Sequence, residues 1–206
     1  MKETIVKPTA QKPEKPQSAG SRILLLAQTA LMAALCYVIF QFFRIDIPLG
    51  AGKTSIHFAN GFVVLAALIL GGLPGGLAGG IGLAIADLTS NYATAALPTF
   101  FLKLGIGLIA GLVAHRIGHI RRRDKEAHLL GWVTASAVCA MIFNVICDPL
   151  VRYLSNRFLF GLKPDFAATL AKFTALSTLL NAIVAVAVST LLYMALRPLL
   201  QKLQIQ

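Results

Sequence analysis

The sequence predicts an all-α membrane protein, a bundle of six transmembrane helices. Three observations carry that reading. Mean hydropathy is +0.75, with 57% hydrophobic and 13% charged residues among 206. That balance suits lipid as the solvent and leaves no solvated face for a water-soluble core. From residue 23 almost to the C-terminus the chain is apolar, and two charged stretches of any size, 116–126 and 148–165, interrupt it. The 19 Lys and Arg residues outnumber the 8 Asp and Glu, and their placement orients the bundle.

Residues 1–21 hold Lys2, Lys7, Lys12, Lys15 and three prolines, with no apolar run. They read as a flexible cytoplasmic tail. A signal peptide would put its apolar region directly after its charges and end in a cleavage site. Residues 22–206 then form the transmembrane domain. Its candidate spans are 23–43, 57–71, 75–88, 98–114, 129–147 and 168–196. The second and third are short and separated only by Gly72-Leu73-Pro74, so one long kinked helix competes with two. With the tail inside, six spans put Arg116, Arg121, Arg122, Arg123 and Lys125 inside together with Arg197 and Lys202. Five spans would put that cluster outside, against the positive-inside rule. Six spans and two cytoplasmic termini follow.

A pI near 10 has the same explanation and calls for no nucleic acid. Cys36, Cys139 and Cys147 lie in apolar runs and form no CxxC pair, which reads as buried inert thiols without a disulfide or metal. Small residues set the packing. Ala27, Ala30 and Ala34 make a flat stripe on the first helix. Gly72, Gly76 and Gly80 repeat every fourth residue, and Gly75 and Gly79 do so on a neighbouring line. Such faces let helices approach closely in lipid, either within the chain or against another membrane subunit. The alanine stripe is the better docking candidate, having no polar partner nearby.

The polar residues left inside the membrane are few. Asp87 closes the third span and Lys103 lies near the start of the fourth. Asn144 and Asp148 share one face at the end of the fifth, and Thr174, Ser177, Thr178 and Asn181 share one face of the sixth. Six spans put all of them in the outer half of the bilayer, where ionisable groups are costly and either pair or line a wet cavity. Two readings stand. In one, Lys103 pairs with Asp87 or Asp148 and the asparagines join helices. In the other, the groups line a pocket for a small polar solute, with Ser90, Asn91, Tyr92 and the 44–57 connection closing over it.

Other chemistries are excluded. Gly52-Lys53-Thr54 resembles the end of a phosphate-binding loop, but the required glycine is Ile47 and no buried strand precedes it. The chain carries no HExxH or GxSxG signature, and His57, His115, His119 and His128 make no metal-ligand set with nearby carboxylates. His115 and His119 flank the basic loop and read as solvated or headgroup-facing. No enzyme, cofactor or metal is expected.

The segment 54–113, TSIHFANGFVVLAALILGGLPGGLAGGIGLAIADLTSNYATAALPTFFLKLGIGLIAGLV, resembles the substrate-binding S components of energy-coupling factor (ECF) vitamin transporters. It is most similar to their riboflavin-transporter-like group. QTALMAALCYVIF in the first helix, with Ala30 and Ala34, is similar to the AxxxA motif by which S components dock on a shared coupling subunit, and LLNAIVAVAVSTLLY around Asn181 resembles the last helix. The resemblance implies an S-component fold in the bacterial plasma membrane, with both termini cytoplasmic. It implies capture of a vitamin or precursor from outside, then association with a transmembrane coupling subunit and two cytoplasmic ATPases and toppling to release it. Segment 44–55 would be the gate, and the pocket would lie among the fourth to sixth helices.

On that basis Asp87, Lys103, Asn144, Asp148 and Asn181 are expected to hold the ligand, Asn91 and Tyr92 to stand at its rim, and Ala27, Ala30 and Ala34 to serve docking. Members of the group handle riboflavin, pyridoxine-like compounds, hydroxymethylpyrimidine and pantothenate. Flavin would favour several aromatic walls, where the outer segments offer mainly Tyr92, Tyr153 and phenylalanines. Asn144, Asp148 and Asn181 suit the ring nitrogens, amine or hydroxyls of a pyridoxine or hydroxymethylpyrimidine type of ligand. An anion such as pantothenate would instead use Lys103 or Arg152. Two alternatives remain. An ion-coupled secondary carrier lacks an inverted repeat and enough carboxylates here. In a non-transport assembly protein the polar residues would seal the bundle.

Overall fold

The computed structural model describes residues 19–49, 52–122 and 125–202. Of the expected tail, residues 1–18 lie outside the described residues, and Ala19 to Ser21 form the first turn of a helix. The elements run α1 (Ala19–Phe42), β1 (Arg44–Leu49), β2 (Gly52–His57), α2 (Ala59–Leu70), α3 (Gly72–Leu88), α4 (Ala96–Gly111), α5 (Glu126–Leu154) and α6 (Pro164–Lys202). A π-helical turn, Leu112–Ile117, extends α4. In lipid each backbone amide must be bonded within its own segment, which is why long apolar runs become helices. α1, α4 with its flanking turns, α5 and α6 are long and apolar enough to cross a bilayer.

α2 and α3 are shorter. α2 is the axis of the bundle: every residue except Phe62 is buried, against α1, α3, α4 and α6. At 12 residues it spans only ~18 Å, well short of the ~30 Å hydrocarbon core. Protein rather than lipid surrounds it, so it need not be longer. The chain breaks after it at Gly71, whose φ of 104° is closed to residues with a Cβ. α2 and α3 are therefore two helices, and the single kinked span is ruled out.

Both glycine lines pack inside the chain. A methyl at Gly76 would stand 2.7 Å from Leu104 O and one at Gly80 3.0 Å from Phe100 O, while Gly107 and Gly111 press on the backbones of Gly76 and Gly72. These contacts bring α3 and α4 together antiparallel. On the neighbouring line, Gly75 meets the backbone of Ala66 and Ala67, and Gly79 meets Val63, which fixes α3 against α2. Gly82 faces Ala33 and Cys36 of α1.

The connections after α1, α3 and α5 thus share one end of the bundle, and those after α2 and α4 share the other. At the latter end, carbonyls of the last turn of α2 find donors from distant residues. His115 Nε2 lies 3.0 Å from Ala67 O, and Arg121 Nη2 donates to Ile69 O at 3.0 Å. A guanidinium there also complements the helix dipole. His115 is therefore tied into the fold rather than solvated, whereas His119 is exposed. Cys36 is buried as expected, but Cys139 is exposed on α5, because that face of the helix points away from the bundle.

The largest departure from the sequence reading lies between α1 and α2. Strands 44–49 and 52–57 pair antiparallel as a β-hairpin, with Arg44 opposite His57 and Asp46 opposite Ser55. Ile45, Ile47 and Leu49 alternate with Arg44, Asp46 and Pro48, the period of a strand.

Candidate functional site

At the hairpin end of the bundle, α1, α3, α4, α5 and α6 surround a cavity of ≈ 60 Å³ whose walls are mainly polar. Each helix contributes near the same end. Asp87 comes from the last turn of α3, Thr99 and Lys103 from the first turns of α4, Asp148 and Arg152 from α5, and Thr174, Ser177, Thr178 and Asn181 from α6. Phe40, Tyr92 and the hairpin residues Thr54, Ser55 and His57 complete the wall.

The hairpin is a roof bonded to the bundle. Asn181 holds it from below: its Nδ2 donates to Ser55 O at 2.9 Å, and its Oδ1 accepts the backbone N–H of His57 at 2.9 Å. Thr54 Oγ1 and Ser177 Oγ lie 2.5 Å apart. From the side, the Tyr92 hydroxyl donates to Asp46 Oδ1 at 3.1 Å and lies 3.3 Å from Thr54 O. Burial, followed by the Asp46 carboxylate, pushes the Tyr92 phenol up to about 12, so it remains a donor. Arg44 pairs with Asp46 at 3.2 Å, with its guanidinium 4.9 Å from the Phe40 ring centre and 5.5 Å from that of Tyr92. The His57 ring packs edge-on to Phe40 at 4.9 Å.

Beneath the roof the charges are spaced rather than paired. Thr99 Oγ1 donates to Asp87 Oδ2 at 2.5 Å and Thr178 Oγ1 to Asp148 Oδ2 at 2.7 Å. Lys103 Nζ donates to Asn144 Oδ1 at 3.5 Å. Among the described residues Lys103 makes no ion pair with a carboxylate, so the pairing with Asp87 or Asp148 weighed from the sequence does not form. The two carboxylates are instead held by threonine hydroxyls on neighbouring helices.

Of the residues expected to hold a ligand, Asp87, Tyr92, Lys103, Asp148 and Asn181 line the cavity. Asn144 is fully buried behind Lys103. Asn91 is exposed in the turn after α3 while its neighbour Tyr92 turns inward, so it forms no part of the wall. Phe40 and Thr99 were not singled out by sequence as wall residues, and His57 entered only as the end of the 44–57 connection. The Thr99 signal was present, since Thr99 precedes Lys103 by four residues and so shares its helix face.

Ala30 and Ala34 lie on the outer surface of the bundle, in an apolar groove of ≈ 410 Å³ between α1 and α3 that also includes Tyr37, Ile81, Gly82 and Ile85. Ala27, one turn earlier, is exposed as well.

Comparison with known proteins agrees with this architecture. The crystal structure of the S component for biotin from an ECF-type ABC transporter superposes with a TM-score of 0.50 at 16% identity, covering 87% of this chain and 95% of that one. At that identity the likeness establishes the fold. A UPF0397 protein of Exiguobacterium sp. is 29% identical over 124 residues, 55% of this chain and 67% of the relative. An uncharacterised protein of Pyrococcus woesei is 37% identical over 67 residues, 32% of this chain and 45% of the relative. The family model for the ECF-type riboflavin transporter S component matches residues 21–198. The chain belongs to that family of multi-pass membrane proteins, the substrate-binding S subunits of vitamin uptake, which are transport proteins and not enzymes.

Proposed function

We propose that the chain captures a small water-soluble vitamin or vitamin precursor in the cavity beneath the β-hairpin, on the outer side of a bacterial plasma membrane. The observation that carries this reading is the cavity itself: polar side chains from four helices converge at one depth under a roof held by hydrogen bonds to α6. Ionisable groups left without ion-pair partners are costly in a membrane domain and usually line a wet cavity. Asp87, Lys103, Asp148 and Asn181 form its floor and walls, Asn144 supports Lys103, and Tyr92 closes the side. Asn91 lies outside it.

At about 10–15 Å³ per water, the ≈ 60 Å³ cavity has room for several waters. A ligand larger than that requires the hairpin to move for entry and the walls to spread around it. The roof bonds to Asn181, Ser177 and Tyr92 are then the gate contacts that break and re-form.

Charge favours the orientation. Arg116, Arg121, Arg122, Arg197 and Lys202 sit at the end opposite the hairpin, which makes that end cytoplasmic under the positive-inside rule. Residues 1–21 would be a cytoplasmic tail and 22–206 the binding domain. The stripe of Ala27, Ala30 and Ala34 beside the α1–α3 groove offers a close-packing face to a transmembrane coupling subunit, which would work with two cytoplasmic ATPases.

The pyridoxine or hydroxymethylpyrimidine expectation rests on Asn144, Asp148 and Asn181. In the closed structure each has other work: Asn181 on the hairpin, Asp148 with Thr178, Asn144 with Lys103. The support for a neutral heterocycle is correspondingly reduced. Mass spectrometry of small molecules released from the purified, detergent-solubilised chain tests the capture reading. A stoichiometric B vitamin or precursor supports it; a chain that carries none and ignores a vitamin panel in titration refutes it.

A further inference from the structure

We propose that the cavity recognises its ligand by a carboxylate held between Lys103 and Arg152. This rests on the capture reading above and adds to it the chemical class of the substrate.

The support is a count of donors and acceptors around the cavity. An ammonium carries three donors, yet Lys103, only 6% exposed, makes a single hydrogen bond, the 3.5 Å contact to Asn144 Oδ1. Removing a cation from water without an anion in contact is costly, so an ammonium that no carboxylate among the described residues touches can take a counter-charge from a ligand. Arg152 lines the same cavity from α5, and among the described residues its side chain makes no hydrogen bond or ion pair. Behind Lys103, outside the cavity wall, the buried Asn144 Nδ2 also has no partner among the described residues.

The acceptors are differently placed. Asp87 and Asp148 each already accept a threonine hydroxyl, and they act on Lys103 from beyond contact range. Their second oxygens are left for hydroxyl or amide donors elsewhere on the same ligand. Desolvation selects the kind of anion. A dianionic phosphate doubles its attraction to Lys103 and Arg152 and its repulsion from the two carboxylates alike, while its desolvation cost rises with the square of its charge. The fitting ligand is therefore a small monocarboxylic acid that also carries hydroxyl or amide groups.

The test uses the full chain in lipid nanodiscs, titrated calorimetrically with matched acids and neutral analogues: pantothenate with pantothenol, nicotinate with nicotinamide, biotin with its primary amide. Riboflavin, pyridoxine, hydroxymethylpyrimidine and pyridoxal phosphate complete the panel. One acid should bind, and its neutral analogue should bind about 30-fold or more weakly, the effect of a buried charge-assisted contact. Arg152→Gln should weaken the acid by a similar factor, whereas Arg122→Gln at the opposite end should not. Lys103→Gln is expected to do the same; if it fails to fold, the matched pairs on the native chain and Arg152→Gln decide. Tight binding of a neutral vitamin that Arg152→Gln leaves unchanged would overturn carboxylate recognition and leave vitamin capture standing. Preference for pyridoxal phosphate over every acid would overturn the choice of carboxylate. A folded, monodisperse chain that binds nothing in the panel would refute capture itself.

Discussion

Asn181→Ala removes the two bonds that tie the hairpin to α6, and its effect can be worked from the contacts. The native amide donates to Ser55 O and accepts from His57 N, both at 2.9 Å. Losing the bond to Ser55 O costs about 1 kcal/mol net, and leaving a buried N–H without its partner costs about 1–3 kcal/mol. The His57 amide is such a group, since the residue is buried. The sum, about 2–4 kcal/mol, falls on the closed state of the hairpin alone. At ~1.4 kcal/mol per tenfold, the open population rises roughly 30- to 1000-fold.

Hydrogen exchange reads this directly. Peptides covering 44–57 should exchange faster in the variant by up to that factor, without ligand present, while peptides from α2 exchange at the native rate. Any bound vitamin should dissociate faster by a comparable factor, because the gate opens more often. The unliganded measurement matters, since Asn181 also lines the cavity and its loss could weaken ligand contact alone. Unchanged exchange across 44–57 would refute the latch. Equal acceleration in α2 would show that the variant loosens the whole bundle and that the hairpin has no opening of its own.

Further outcomes follow from other contacts. Tyr92→Phe keeps the ring near Phe40 but loses the hydroxyl contacts to Asp46 and Thr54, about 1 kcal/mol, so hairpin exchange should rise several-fold, less than in Asn181→Ala. The Tyr92 phenol should titrate near pH 12 by ultraviolet difference absorbance; because the folded state keeps this proton past the ordinary value of 10.0, the stability it gives is whole below pH 10 and is lost as pH rises toward 12. Gly107→Ala drives a methyl into the Gly76 backbone and should cost about 1–3 kcal/mol or more, whereas Gly131→Ala, with nothing within 4 Å of the new methyl, should be neutral or stabilising by up to ~1 kcal/mol; thermal unfolding in detergent separates them. Replacing Ala30 and Ala34 together by Leu should leave ligand binding intact and abolish ATP-driven uptake in liposomes carrying the coupling subunit and ATPases; normal uptake would remove the docking assignment.

The spans were legible because lipid imposes one rule on the whole chain: satisfy every amide locally and turn an apolar surface outward. The separation of α2 from α3 was legible from the charge pattern, which required an even number of spans between the tail and the Arg121 loop. The glycine lines announced close packing, but not which helices they joined, because a small face does not name its partner. That answer came from spatial register, Gly76 on Leu104 and Gly79 on Val63. Segment 44–57 escaped for a different reason. A hydropathy reading works over windows of about 20 residues, and the alternation of RIDIPL is a six-residue signal.

Asn181 shows most clearly where sequence reasoning stops. Its place on a polar helix face with Thr174, Ser177 and Thr178 follows from periodicity, and that face does line the cavity. Its partners do not follow from periodicity, because Ser55 lies 126 residues away on a strand that hydropathy does not reveal. Polar groups on a membrane helix have two outlets, a solute or another piece of backbone, and spacing alone cannot tell them apart. Here the two outlets are coupled. The amide that closes the roof borders the space the roof encloses, so a ligand large enough to spread the walls must disturb the bonds that shut it in. On the proposed capture reading, gate and binding site are one hydrogen-bonded unit, and affinity would depend on how well the ligand lets Asn181 keep hold of Ser55 and His57.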